Sequence, residues 1–248
     1  MKSRRKIGVV GVGKLGTYHL EKLKNNSRVD FMGIFDSNEK IMKEKSLKYK
    51  VSSFEKIDSL LDLCDAIIIA VPTINHYDIS KKALEKNLHI FIEKPISNNI
   101  SDALEIKRFA DKIDKIVQIG HIERFNDAFI KSLKYINKPQ FIEIHRISPF
   151  PNRSLDIPVV MDIMIHDLDL ILSLNEDNPI VDIKATGASV ITKYIDLANA
   201  RIQFKNGLVA NLTASRVSSK HMRKLRIFQE NSYIGLDLLE KKIDFFEI

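Results

Sequence analysis

The chain has 248 residues, 44% of them hydrophobic and 29% charged, and its 39 Lys and Arg against 32 Asp and Glu leave a net charge of +7. That length holds one large domain or two modest ones around a real core. The balance is that of an ordinary globule and excludes a disordered or fibrous chain.

No apolar run approaches the ~18 residues of a membrane span. The basic start, Met1-Lys2-Ser3-Arg4-Arg5-Lys6, mimics a signal peptide, but Gly8, Gly11, Gly13 and Lys14 break the apolar run behind it and no cleavage site follows. A cytoplasmic protein is expected. Cys64 is the single cysteine, so no internal disulfide can form, in keeping with a reducing compartment. Lys and Arg are spread along the chain without a helix-turn-helix or zinc-ligand pattern, so no nucleic-acid partner is expected. A basic chain also suits an anionic small-molecule substrate.

Residues 6–10 read as a strand and run into Gly11-Val12-Gly13-Lys14-Leu15-Gly16, ahead of a helical pattern over 17–25. This is G-x-G-x-x-G in the strand–turn–helix setting of a dinucleotide site. Gly11 permits the tight turn, Gly13 lets the backbone approach a pyrophosphate, and Gly16 lets helix and strand pack closely. The free amides of the helix N-terminus then face the phosphates. A second strand over 29–35 ends in Asp36, 20 residues beyond Gly16, where a carboxylate meets the adenosine ribose. No arginine stands in Ser37-Asn38-Glu39-Lys40, so NAD is expected rather than NADP.

The alternation continues with helices over 37–48 and 54–63, a buried strand over 65–71 that stops at Pro72-Thr73, and a helix over 75–86. A strand over 88–92, a helix over 100–111 and a further strand over 116–120 follow. Such βαβ units predict an α/β Rossmann domain with a doubly wound parallel sheet. The strand over 88–92 ends in Glu93-Lys94-Pro95. Ligands of such sheets bind beyond the carboxyl ends of the strands, so Lys94 is placed to project into the cleft. The Lys94–Pro95 bond is a candidate for cis.

Past residue 120 the pattern changes. A helix over 125–135, an alternating strand over 140–147 and an apolar helix over 159–174 precede strand-like runs over 181–192, 200–204, 208–216 and 224–229, and the last residues also read as a strand. Lys205-Asn206-Gly207 is a hairpin turn. The expected C-terminal domain is α+β with an open, mostly antiparallel sheet. The predicted division is 1–120, an NAD-binding domain, and 121–248, a domain for substrate binding and oligomerisation.

On the apolar helix, Asp162, His166 and Asp169 stand at i, i+4 and i+7 and are expected on one face. Buried carboxylates are costly unless paired or wetted by a cleft, so the stripe lines a site or satisfies itself. No third ligand stands at recognisable spacing, and no metal is expected.

The Gly11–Gly16 start, Ala70-Val71-Pro72-Thr73 with His76, Glu93-Lys94-Pro95 and Asp162-x-x-x-His166 together resemble the glucose–fructose oxidoreductase/inositol dehydrogenase (Gfo/Idh/MocA) family. The resemblance implies a catalytic set of Lys94, Asp162 and His166. It places the cofactor on Gly11, Gly13, Lys14, Leu15, Gly16, Asp36, Val71, Pro72, Thr73, His76, Glu93 and Lys94. It also implies dimers or tetramers built on the C-terminal sheet, and a family chain longer than this one, so the second domain is expected to be C-terminally short.

Gly120-His121-Ile122-Glu123-Arg124-Phe125-Asn126 and His145-Arg146-Ile147-Ser148-Pro149-Phe150, through Arg153-Ser154, are similar to a subgroup acting on nucleotide sugars, the UDP-N-acetylglucosamine 3-dehydrogenases of lipid A biosynthesis. The implied reaction oxidises a sugar hydroxyl to a ketone. The alternatives are a free sugar or polyol such as inositol, or a non-catalytic sugar or dinucleotide sensor on the same fold. Arg124, Arg146 and Arg153, with His145 nearby, are the candidate grip on a diphosphate, because the guanidinium fork binds phosphate oxygens in bidentate fashion. Asp162 and His166 are also expected to touch substrate. Either Lys94 or His166 is the base.

Overall fold

The computed structural model describes residues 4–150 and 157–247. The chain forms two compact units, Met1–Gly120 and His121–Ile248.

In the first unit, β1 (Arg5–Val10), β2 (Val29–Phe35), β3 (Ala66–Ile69), β4 (His89–Ile92) and β5 (Val117–Ile119) form a parallel sheet in the order β2-β1-β3-β4-β5. Five helices connect the strands: α1 (Lys14–Lys24), α2 (Glu39–Tyr49), α3 (Ile57–Leu61), α4 (His76–Glu85) and α5 (Ile100–Lys112). Successive strand residues point to opposite faces. Val9 accordingly joins Leu20, Ile34 and Met42 on one side, while Val10 joins Leu60, Ile69, Leu84 and Ile92 on the other. Covering both faces explains why these strands read as continuous apolar runs. Asn38 and Asn99 start α2 and α5 by accepting the amides of Ile41 and Asp102.

The second unit contains α6 (Asp127–Ser132), β6 (Phe141–Ile147), a π-helical turn at Val160–Met164 leading into α7 (Ile165–Ser173), and β7 (Ile180–Ala188), β8 (Leu197–Phe204), β9 (Val209–Ser215), β10 (Met222–Gln229), β11 (Ser232–Asp237) and β12 (Lys242–Glu247). Its seven strands run β12-β11-β10-β6-β9-β8-β7, antiparallel throughout except between β6 and β9. The sheet is open and mostly antiparallel, with β8 and β9 joined through Gly207 at φ +90°. Ile142, Ile144, Ala200, Ile202, Leu212 and Leu225 bury one sheet face with Met164, Leu170 and Ile171 of the helix.

Two expectations are corrected here. The apolar helix is not continuous: the Pro158 carbonyl accepts both Met161 N and Asp162 N, and a π turn precedes the regular helix. The helix expected over 125–135 is a short α-helix flanked by 3₁₀ turns at Ile122–Phe125 and Leu133–Tyr135.

A fully enclosed ion pair anchors the entry to the π turn. Arg216 Nε donates to Asp196 Oδ1 at 2.8 Å, and both side chains are 0% exposed. Asp196 Oδ2 accepts three consecutive amides, from Val190, Ile191 and Thr192. Arg216 Nη1 donates to the Ile157 carbonyl and Nη2 to Thr192 Oγ1. One strand end, one loop and the residue before Pro158 are thus fastened together. Burial pushes the Asp196 carboxyl up, but the Ile191 and Thr192 amides, the Thr192 hydroxyl and Arg216 outweigh it and hold the group well below the usual carboxylate range.

Removing one partner of a buried pair strands the other, so Asp196→Ala is expected to cost about 3–5 kcal/mol, read as a lowered urea midpoint. Because the folded carboxyl titrates below its ordinary value of 3.8, its stabilisation is complete above that pH and is lost as pH falls further. Acid unfolding of Asp196→Asn should therefore be shallower than that of the parent; an unchanged profile would remove the pair from the stability of this unit.

Candidate active site

The glycine turn lies where the strand order reverses, between β1 and β3, the topological switch point at which open α/β sheets bind ligands. Gly11 has φ +87°, and a Cβ there would stand 2.6 Å from the Ala70 carbonyl oxygen. A Cβ on Gly16 would fall 1.8 Å from the Gly11 carbonyl oxygen, so only glycine lets α1 begin this close to the turn. Gly13 is different: a Cβ there meets nothing within 4 Å. It opens α1 without a side-chain cap, and no acidic residue occupies the first turn. Lys14 and Leu15 follow, exposed. An uncapped amide cluster beside open space suits a dinucleotide's phosphates.

Asp36 closes the other side of the turn. Its Oδ2 accepts Val12 N and its Oδ1 accepts Asn38 N, both at 2.8 Å. Each oxygen keeps a further lone pair for a ribose diol. Beyond β3, Val71 and Pro72 lead into a 3₁₀ turn at Thr73–Asn75 that starts α4. These residues fit NAD.

Two residues assigned to the cofactor have other partners. His76 is 1% exposed, with Nδ1 2.8 Å from the Pro95 carbonyl oxygen and Nε2 2.9 Å from that of Val71. It ties the end of β3 to the Glu93-Lys94-Pro95 loop, whose Lys94–Pro95 bond is cis. Glu93 is 8% exposed and turned inward onto His19 of α1, at 2.7 Å. Nothing in the sequence singled out His19, because the contact spans 74 positions.

In the second unit, Asp162 lies in the π turn and His166 in the first turn of α7, both half-buried. Asp169 leaves the expected stripe: it takes a bidentate pair from Arg124 Nε and Nη2, both at 2.8 Å. The widened π turn also removes the regular i, i+4 stacking on which that stripe rested.

Arg146 is corrected as a phosphate ligand. Strand alternation along β6 sends it to the core face with Ile142 and Ile144, whereas His145 points to the opposite face. Arg146 is 5% exposed, donating to Asp167 Oδ1 at 2.8 Å and Glu123 Oε1 at 2.9 Å. Arg223 also donates to Glu123, at 3.2 Å. Burial raises the Asp167 carboxyl above its usual range, against the pull of Arg146. A guanidinium so enclosed has no fork left for a diphosphate. Arg124, with 43% of its side chain exposed, is reachable; Arg153 lies outside the described residues. Burial pushes the Cys64 thiol up to about 12.

Residues 5–121 match the oxidoreductase family with an NAD-binding Rossmann fold, and residues 140–234 match the GFO/IDH/MocA C-terminal domain. The chain is 36% identical over 244 residues to the UDP-N-acetylglucosamine 3-dehydrogenase of Acidithiobacillus ferrooxidans, covering 96% of this chain and 76% of that one. It belongs to the Gfo/Idh/MocA oxidoreductase family. This Gfo/Idh/MocA protein is an NAD-dependent dehydrogenase, and NAD is its cofactor. It is also 27% identical to the myo-inositol 2-dehydrogenase of Thermotoga maritima, across 85% of this chain and 68% of that one. The solved UDP-N-acetylglucosamine 3-dehydrogenase GnnA from A. ferrooxidans superposes with a TM-score of 0.93 at 34% identity, over 99% of this chain and 81% of that one. Among the described residues, no helix is long and apolar enough to cross a membrane.

Asp36→Ala removes the carboxylate expected to meet the ribose together with the brace on Val12 N, so NAD affinity is expected to fall about tenfold or more while discrimination against NADP relaxes. Titration calorimetry with each dinucleotide checks this; equal affinity of the parent for both would remove Asp36 from cofactor selection.

Proposed function

We propose that this dehydrogenase oxidises a hydroxyl of a nucleotide sugar to a ketone, with UDP-N-acetylglucosamine and its 3-position as the favoured substrate. The observation that carries this reading is the 36% identity to a UDP-N-acetylglucosamine 3-dehydrogenase across nearly the whole chain, in a sequence that retains Lys94, Asp162 and His166. The reading assigns residues 1–120 to NAD and residues 121–248 to substrate and self-association. On the subgroup resemblance, the ketone product feeds lipid A biosynthesis in the cytoplasm.

Oxidation of a carbinol removes a hydride from carbon and a proton from oxygen. NAD, when bound, supplies the hydride acceptor. The proton needs a base on the protein, and a ring nitrogen of His166 takes it, since neutral imidazole is a competent base near pH 7. Lys94 Nζ hydrogen-bonds the same oxygen and stabilises its developing negative charge. Asp162 orients the imidazole or a neighbouring hydroxyl. Arg124 and Arg153 are the remaining candidates for the diphosphate, Arg146 being enclosed. A homo-oligomer through the C-terminal sheet is supported by its exposed edge, where all nine residues of β7 face solvent. An aromatic row, with Phe228 37% and Phe246 64% exposed, supports it from the sheet face.

The test is NADH formation at 340 nm with UDP-N-acetylglucosamine, free glucose and inositol. The nucleotide sugar should be turned over fastest, and His166→Ala or Lys94→Ala should lower turnover by about 10²–10⁴-fold with NAD binding intact. Arg124→Ala should raise the KM for the nucleotide sugar roughly tenfold unless Arg153 carries the diphosphate, in which case Arg153→Ala does so. Oxidation of inositol or glucose as fast as the nucleotide sugar, with both arginine variants like the parent, would defeat the substrate assignment.

A further inference from the structure

The residues on either side of Lys94 are each held by a histidine from a helix. Glu93 precedes it, and its Oε1 meets His19 Nε2 at 2.7 Å. Pro95 follows it, and its carbonyl oxygen meets His76 Nδ1 at 2.8 Å. Glu93 has little room to adjust: a Cβ on Gly120 would stand only 2.9 Å from Glu93 Oε2. The His19 ring is itself fixed edge-on against Phe91 of β4, with centroids 5.1 Å apart.

His19 stands on α1, the helix whose uncapped N-terminus at Gly13 is the expected seat of the dinucleotide phosphates. That helix is one rigid element, so whatever seats its N-terminus also seats His19. The carboxylate of Glu93 is nearly buried and needs the imidazole donor; without it, the group is left underpaired or must turn toward water. Lys94 is the next residue in the chain, and a displacement of about 1 Å in a reacting group can cost 10²-fold in rate.

We propose that His19 is a positioning residue for Lys94, holding Glu93 so that the seating of α1 on the dinucleotide phosphates sets the place of the lysine. The proposal rests on the role given to Lys94 above. A purely structural His19–Glu93 contact would contribute to stability but would not make the loop answer the cofactor.

The experiment compares the parent with His19→Ala and His19→Gln, whose amide nitrogen can replace Nε2 as donor. Hydrogen–deuterium exchange of the Lys94, Ile96 and Ser97 amides is measured with and without NAD, alongside NAD affinity by calorimetry and kcat with the sugar the parent turns over fastest. In the parent, NAD should slow exchange in this loop. In His19→Ala that response should vanish while NAD still binds, weakened by about fivefold, and kcat should fall about tenfold or more with KM for the sugar little changed. His19→Gln should restore the response and most of kcat. If His19→Ala does not fold, His19→Phe keeps a ring against Phe91 and deletes the donor, and the same readings apply. A loop that still answers NAD in the variant lacking the donor overturns the proposal, as does a glutamine variant that regains stability but not the response. Lys94→Ala is run beside them: full turnover there defeats the role of Lys94, whereas lost turnover there with an unchanged His19→Ala loop defeats this proposal alone.

Discussion

The close approach of α1 to the end of β1 is the constraint on which the first unit depends. A side chain at Gly16 would overlap the Gly11 carbonyl oxygen, with its Cβ only 1.8 Å away. With glycine there, the helix starts directly over the turn, uncapped by any side chain and beside the open space at Gly13. The same turn brings Val12 N onto Asp36 at the end of the neighbouring strand. The uncapped start of α1, the Asp36 brace on Val12 and the place of His19 on the helix are all arranged around that one contact.

The second unit depends on buried charge in a different way. Arg146 and Arg216 sit inside the fold, each matched by carboxylates, and neither meets solvent to any useful extent. Such pairs are weak contributors to net stability, because desolvation offsets much of the attraction, but breaking one is costly. They act here as registers. Arg216 fixes Ile157 before the π turn, and Arg146 ties β6 to α7 through Asp167 and to Glu123 on the preceding turn. The helix that carries Asp162 and His166 is thereby fastened at both its entry and its flank. The positive charge that suggests anion binding in a linear reading is, at these positions, structural.

Much of this protein was legible in its residues. Period-2 and period-3.6 patterning identified both sheets and most helices, because the faces of each element must differ once a core forms. The glycine spacing with Asp36 identified the cofactor, since backbone geometry and a carboxylate at the strand end are local properties. The Glu93-Lys94-Pro95 and Asp162-x-x-x-His166 signatures identified the family. The enclosure of Arg146 is itself legible in β6: on an alternating strand it shares a face with Ile142 and Ile144, opposite His145.

Tertiary structure alone decided the pairings between distant positions. Whether an arginine grips a ligand or an internal carboxylate depends on which acid the fold carries to it, and Asp167 lies 21 residues from Arg146. The diversion of Asp169 to Arg124 spans 45 positions and that of Glu93 to His19 spans 74. The π turn before α7, with Met161 N and Asp162 N both on the Pro158 carbonyl, is likewise not foreshadowed by the helical pattern of these residues. Local sequence determines what each residue can donate or accept. Only the folded chain, by bringing remote segments within about 3 Å of each other, decides with which partner it does so.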